Sequence, residues 1–190
     1  MAKIKILIEG YFKNISKTRC RASSAIVLIQ DEGKNILVDT GNPRDKEKII
    51  NALKKRKLKP EDIDIVIITH FHPDHMGCSY LFKKARFIIQ GVSFWDDIFD
   101  RAPENQKLTK NLKLISTPGH SGDSSTLLVK TDRGVVACVG DLFWFNGDEK
   151  IKLLEEDCSN KKLFYKNRQE ILKIADFIIP GHGKMFKVQK

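Results

Sequence analysis

The chain is punctuated by short runs of Ile, Val, Leu and Phe that stop abruptly at Gly, Pro, Asn, Asp or His, and this punctuation restricts it to a sheet-based fold. The runs are Ile4 to Ile8, Ser24 to Gln30, Ile36 to Val38, Ile65 to Thr69, Phe87 to Gln90, Leu112 to Ser116, Thr126 to Lys130, Val135 to Val139 and Phe177 to Ile179. Several, such as Ile65-Val66-Ile67-Ile68, are apolar at successive positions rather than alternate ones, as expected of strands buried on both faces beneath helices. Two intervening segments carry a helical period. In Arg44 to Arg56, Ile49, Ile50 and Leu53 form a stripe; in Asn160 to Ile174, Leu163, Phe164, Ile171 and Leu172 recur, with Ala175 just beyond. The class is therefore α/β or α+β, and 190 residues suit one domain over residues 1–190 or two packed halves. Each half contains a helix followed by an apolar strand that ends at a histidine, His70 or His182.

None of these runs reaches the roughly 18 apolar residues that a membrane-spanning helix needs, so no membrane partner is expected. Lys3, Lys5 and Glu9 interrupt the N-terminal apolar residues, which read as a strand and not as a secretory signal. Cys20, Cys78, Cys138 and Cys158 are scattered without a C-x-x-C pair, which signals neither a disulfide framework nor a zinc knuckle and points to a reducing cytoplasm. The formal charge is +10, from 34 Lys+Arg against 24 Asp+Glu. The basic residues are spread along the chain and no aromatic residues interleave with them, so a solvated ionic surface is preferred to nucleic-acid binding. The local cluster Lys54-Lys55-Arg56-Lys57 falls at a helix C-terminus, where cations are favourable, and Pro60 follows it.

The chemistry concentrates in Thr69-His70-Phe71-His72-Pro73-Asp74-His75, directly after an apolar run. In an extended segment side chains two apart point the same way, so His70 and His72 can reach one metal ion. Pro73 then bends the chain and lets Asp74 and His75 address a second position. The other two histidines each follow a Pro-Gly pair after a strand, in Pro118-Gly119-His120 and Pro180-Gly181-His182. Such turns fix the next side chain at the C-terminal edge of a sheet, where α/β proteins build their sites. Two further runs lead to Asp39 and Asp141. Clustered histidines and carboxylates are the usual ligands of zinc-type ions.

With His70-Phe71-His72-Pro73-Asp74-His75 followed in order by His120, Asp141 and His182, the chain resembles the metallo-β-lactamase superfamily through its H-x-H-x-D-H motif. The resemblance runs from Asp39 to His182 and implies a four-layer αββα sandwich of two similar halves. It also implies that His70, His72 and His120 bind one metal, that Asp74, His75 and His182 bind the other, and that Asp141 bridges them. Asp39 would support the site without ligating. The bridging position is Asp141 where zinc β-lactamases commonly carry cysteine, which disfavours antibiotic hydrolysis. Leu142-Phe143-Trp144 stand where lactonase members place a tyrosine shortly after the bridging aspartate. Eight residues follow His182, so the thioester-binding C-terminal domain of the glyoxalase II group is not expected. The segments Val38-Asp39-Thr40-Gly41 and Thr117 to Asp123 most resemble a compact branch that includes the metallo-β-lactamase domain-containing protein 1 group.

The implied cofactors are two divalent ions, zinc first, with manganese or iron as alternatives. Such a pair lowers the pKa of a bridging water and creates a hydroxide nucleophile, with Asp74 as the catalytic proton shuttle. The expected substrate is a small ester, thioester or lactone. A metal-dependent ribonuclease or phosphodiesterase and a mononuclear iron enzyme like the persulfide dioxygenases are the alternatives. Phe94, Trp95 and Phe99 are assigned mainly to core packing, as are Phe143 and Phe145, while Trp144 is the aromatic chosen to line a substrate mouth. The oligomeric state is left open, a homodimer included.

Overall fold

A computed structural model describes residues 1–148 and 157–189. Strand β1 (Lys3–Ile8) leads into a hairpin of β2 (Tyr11–Ser16) and β3 (Arg19–Ser23), then β4 (Ile26–Asp31) and β5 (Lys34–Val38). Helix α1 (Lys46–Lys54), β6 (Ile65–Ile67), the single helical turn α2 (Pro73–Met76), β7 (Arg86–Ile89), β8 (Val92–Trp95) and β9 (Ile98–Arg101) complete the first half. The second half comprises β10 (Gln106–Lys107), β11 (Leu112–Ser116), β12 (Ser125–Thr131), β13 (Gly134–Cys138), α3 (Lys161–Ile174), β14 (Phe177–Ile179) and β15 (Phe186–Lys187). One sheet has the order β1-β4-β5-β6-β7-β8-β9 and the other β10-β11-β12-β13-β14-β15. The pairs β5/β6, β6/β7 and β13/β14 are parallel.

The doubly apolar strands explain the layering. Val27, Ile29, Val38 and Ile67 of one sheet meet Leu114, Leu127, Val129 and Val136 of the other in a central core. Their neighbours Ile26, Leu28, Leu37 and Val66 face outward, against Ile49 and Leu53 of α1. On the far side Ala137 and Ile178 pack against Phe164 and Ile171 of α3. Helix, sheet, sheet and helix therefore stack as four layers. Each fully buried Ile or Leu contributes roughly 1.5–3 kcal/mol, so the three apolar strata account for most of the favourable energy. Among the described residues no helix is long and apolar enough to cross a membrane.

Several boundaries differ from the periodicity reading, and the site is the reason. The run Ile65 to Thr69 leaves the ladder after Ile67, because Thr69 donates its N–H to the Asp39 carboxylate and its carbonyl accepts from Ser125 in the other sheet. The run Ser24 to Gln30 pairs only from Ile26, since Ser24 and Ala25 donate to Asp74 and Gly181. The segment Arg44 to Arg56 starts as a tight turn, Pro43–Asp45, and is α-helical from Lys46 to Lys54. The hairpins β2/β3 and β8/β9 carry exposed polar or isolated apolar residues and give no buried-strand signal. Trp95 and Phe99 lie on the second hairpin and are 52% and 68% exposed, a correction to their assignment to core packing. They sit in β8 and β9, the last two strands of their sheet, and remain largely open to solvent.

Asp45 ties this first half together. It is buried and accepts hydrogen bonds from the Ser23 hydroxyl (2.8 Å), the Asn42 amide (3.1 Å) and the Lys48 ammonium (2.9 Å). Burial raises its pKa, but those three donors outweigh burial and hold the carboxyl below its ordinary range. A depressed carboxyl stabilises the fold above its unfolded pKa of about 3.9, and that contribution is lost as pH falls through the folded pKa. The difference in melting temperature between wild type and Asp45→Asn is therefore expected to be largest near pH 6 and to shrink below about pH 4. A difference that stays constant from pH 6 to pH 2 would contradict this.

Candidate metal centre

The C-terminal ends of β5, β6, β11, β13 and β14 lie on one edge of the sandwich, and each delivers a polar side chain there. Asp39 follows β5, and His70 and His72 follow β6. Pro73 occupies the first position of α2, where its missing N–H costs nothing, and the turn presents Asp74 and His75. His120 follows β11, Asp141 follows β13 and His182 follows β14.

The structure brings all seven residues singled out for metal together. One atom from each of His70, His72, His120 and Asp141 lies within 4.8 Å of the others, and the same holds for Asp74, His75 and His182. Asp141 sits between the two groups. Its Oδ2 is 3.1 Å from His182 Nε2, 3.5 Å from His120 Nε2 and 4.0 Å from His70 Nε2, and its Oδ1 is 3.0 Å from His75 Nε2. Asp39 contacts the outer nitrogen of His75 at 2.8 Å and is absent from both groups. His182 Nδ1 is 3.1 Å from the Ser23 carbonyl oxygen, which leaves its Nε2 turned inward.

These donors fit a cation. His70 Nε2, His75 Nε2 and Asp141 Oδ1 are buried without a hydrogen bond, and the 3.0 Å approach of the last two lacks hydrogen-bonding geometry. Buried polar atoms are ordinarily satisfied, so such a cluster calls for a missing partner. The electrostatics agree. Burial opposes charge on His75, yet Asp141 and Asp39 outweigh it and push its pKa well above the ordinary value. Burial likewise opposes ionisation of Asp141, and His182 and His75 outweigh it. Burial and the neighbouring His75 push His70 well down. The pocket thus keeps a carboxylate ionised among imidazoles and favours positive charge between them.

Residues that the sequence reading did not single out hold these loops. Asp123 accepts the Phe71 N–H at 2.8 Å and joins the β11–β12 loop to the His70–His75 loop. The start of α3 grips the His120 turn: Ser159 N donates to the His120 carbonyl, Asn160 N to that of Gly119, and Asn167 Nδ2 to that of Pro118. Gly119 is required there, because a Cβ would lie 2.4 Å from Phe164 Cα. Arg168 crosses from α3 to the Asp141 loop. It donates to the Leu142 carbonyl and to Asp148, which itself accepts the Trp144 N–H. The signal for Arg168 was a charge inside the apolar stripe of Phe164, Ile171 and Ala175. Trp144 is buried with its ring edge-on to His182 at 5.7 Å and Phe12 at 4.8 Å on its other contact.

The family model described as the metallo-beta-lactamase superfamily matches residues 21–93. The chain is 34% identical over 195 residues to metallo-beta-lactamase domain-containing protein 1 of Xenopus laevis, an alignment covering 98% of this chain and 82% of that protein. It spans about three fifths of the mammalian proteins of the same name. Among solved structures, one from Thermotoga maritima is similar with a TM-score of 0.79 at 20% identity, covering 98% of this chain and 99% of that one. An N-acyl homoserine lactone hydrolase, with the product N-hexanoyl-L-homoserine at its catalytic metal center, is similar with a TM-score of 0.69 at 18% identity, covering 95% and 92%.

Proposed function

The chain belongs to the metallo-beta-lactamase superfamily, and from that premise we propose that this metal-dependent hydrolase uses two divalent ions, zinc first, on a small ester, thioester or lactone. The observation that supports the reading is the place of Asp141, one buried carboxylate facing histidines of both groups. His70, His72, His120 and Asp141 would hold one ion, and Asp74, His75 and His182, with Asp141, the other. Bound ions of this kind supply Lewis acidity and lower the pKa of a coordinated water from 15.7 towards about 7.

The chain's own residues divide the remaining work. Asp141 is 4% exposed at its side chain and Asp74 22%, so Asp74 is the carboxylate able to exchange a proton with solvent. Its Oδ2 is 3.7 Å from His182 Nε2, close enough to the centre for the shuttle role proposed for it. The buried Trp144 ring packs edge-on against His182, with Phe12 behind it, and helps hold that imidazole in place. A panel of thioester, lactone, phosphodiester and RNA substrates, run on protein of known metal content, tests the reading. Turnover of an ester-type substrate is expected, lost on dialysis against a chelator and regained with zinc or manganese. The chelated protein is also expected to melt at a lower temperature, since ions that bind only the folded state stabilise it. No turnover of any ester-type substrate by the loaded protein would refute this choice of substrate.

A phosphodiester substrate is the second reading, favoured by the hairpin β2/β3. Lys13, Lys17, Arg19 and Arg21 are exposed on it, and it ends at Ser23, whose carbonyl oxygen lies against His182. RNA cleavage that weakens steeply with salt would support this reading, because phosphate contacts release counterions. Salt-independent ester hydrolysis without RNA binding would remove it.

A further inference from the structure

We propose that Thr69 is a positioning residue that joins the two ligand groups, its hydroxyl letting one carboxylate, Asp39, fix the ring tautomer of a histidine in each. The proposal rests on the dinuclear reading and assigns to Thr69 a role that this reading does not require.

The donors and acceptors around Asp39 admit one consistent set of protons. Asp39 is buried; its Oδ1 accepts the Thr69 N–H at 2.8 Å, and its Oδ2 lies 2.9 Å from Thr69 Oγ1 and 2.8 Å from His75 Nδ1. A carboxylate only accepts, so both of those neighbours must donate to it. Thr69 thereby commits its single hydroxyl proton to Asp39, and His75 carries its proton on Nδ1. The Thr69 oxygen retains only lone pairs for His70 Nδ1, 3.1 Å away, so His70 also carries its proton on Nδ1. A neutral ring, the form that ligates a cation, is then left with an unprotonated Nε2 in both residues, and both of these nitrogens are buried without a hydrogen bond. His70 belongs to one group and His75 to the other.

Two backbone observations show that the hydroxyl is held in place. Asp39 has φ +56°, a left-handed conformation uncommon outside glycine that persists where its surroundings over-determine it. A Cβ on Gly140, next to Asp141, would lie 2.5 Å from Thr69 Oγ1, so the bare glycine backbone closes over the hydroxyl. The ends of β5, β6 and β13 therefore meet at Thr69. Partners that orient a ligating imidazole typically alter metal affinity about 10–100-fold when removed.

The test compares Thr69→Val, which keeps the shape and removes the hydroxyl, with Thr69→Ser, which keeps the hydroxyl. Zinc stoichiometry and affinity are read by competition with a chromophoric chelator, and folding by circular dichroism. Thr69→Val is expected to bind one of the two ions about 10–100-fold more weakly and Thr69→Ser to stay close to wild type. A folded Thr69→Val that binds both ions with wild-type affinity would overturn the proposal. Should Thr69→Val fail to fold, long-range proton–nitrogen correlation spectra of zinc-loaded wild type decide. The proposal expects a proton on Nδ1 of both His70 and His75, and a proton on Nε2 of either would overturn it. A wild-type chain that binds fewer than two ions would end the dinuclear reading, while the same spectra would still judge the Thr69 link.

Discussion

Asp141→Ala is expected to lower bound metal and hydrolytic activity together, the activity by at least about 1,000-fold. The side chain is buried, faces both ligand groups, and is kept ionised by His182 and His75. Its loss removes the one carboxylate that faces both ligand groups, leaving His70, His72 and His120 without an anion in their group and Asp74 alone beside His75 and His182, which disfavours a cation at either position. Lewis-acid catalysis supplies several kcal/mol, and each 1.36 kcal/mol is tenfold in rate, so losing about 4 kcal/mol corresponds to the factor given. His72→Ala is expected to move both quantities in the same direction. Elemental analysis beside kcat/KM on whichever substrate the panel identifies checks this, and full retention of both in either variant would sink the ligand assignment.

Arg168→Ala is expected to destabilise the fold by about 3–5 kcal/mol, because it leaves the fully buried Asp148 carboxylate without its counter-charge. For a chain of this size that corresponds to a fall of roughly 6–20 °C in Tm. The guanidinium also stacks on Phe143, 3.9 Å from the ring centroid, and donates to the Leu142 carbonyl at 2.9 Å. Removing it therefore loosens the segment that carries Asp141 and Trp144. Pairing Arg168→Met with Asp148→Asn is expected to recover part of the stability, since the cost of the single change lies in the stranded charge. A single variant that melts within 2 °C or so of wild type would show that the pair contributes little.

The ligand positions were legible because each lies where a strongly apolar run meets a residue that ends it. Pro118-Gly119 and Pro180-Gly181 mark such ends for His120 and His182, and Pro73 marks the bend that separates His72 from Asp74. The layering was legible from runs such as Ile65 to Ile68, which are apolar on both faces. What stayed hidden were contacts between segments distant in sequence. Thr69 reads as one more β-branched strand residue until Asp39, 30 residues earlier, is seen to accept its hydroxyl proton. Asp123, 52 residues from Phe71, reads as a turn residue. The hairpin β8/β9 was missed because its strands lie at a sheet edge, where Trp95 and Phe99 are exposed and no buried alternation forms. The +10 charge is diffuse in the sequence, and the fold gives part of it an address on the β2/β3 hairpin.

If Asp141 joins two cation sites, the metal content of the protein reveals it. Elemental analysis of protein purified without added metal, after buffer exchange to remove loose ions, is predicted to find two equivalents of zinc or manganese per chain. Both are predicted to be lost from Asp141→Ala. A single equivalent of iron, or a folded wild-type chain that binds no divalent ion even when zinc is supplied, would rule out a dinuclear centre at Asp141.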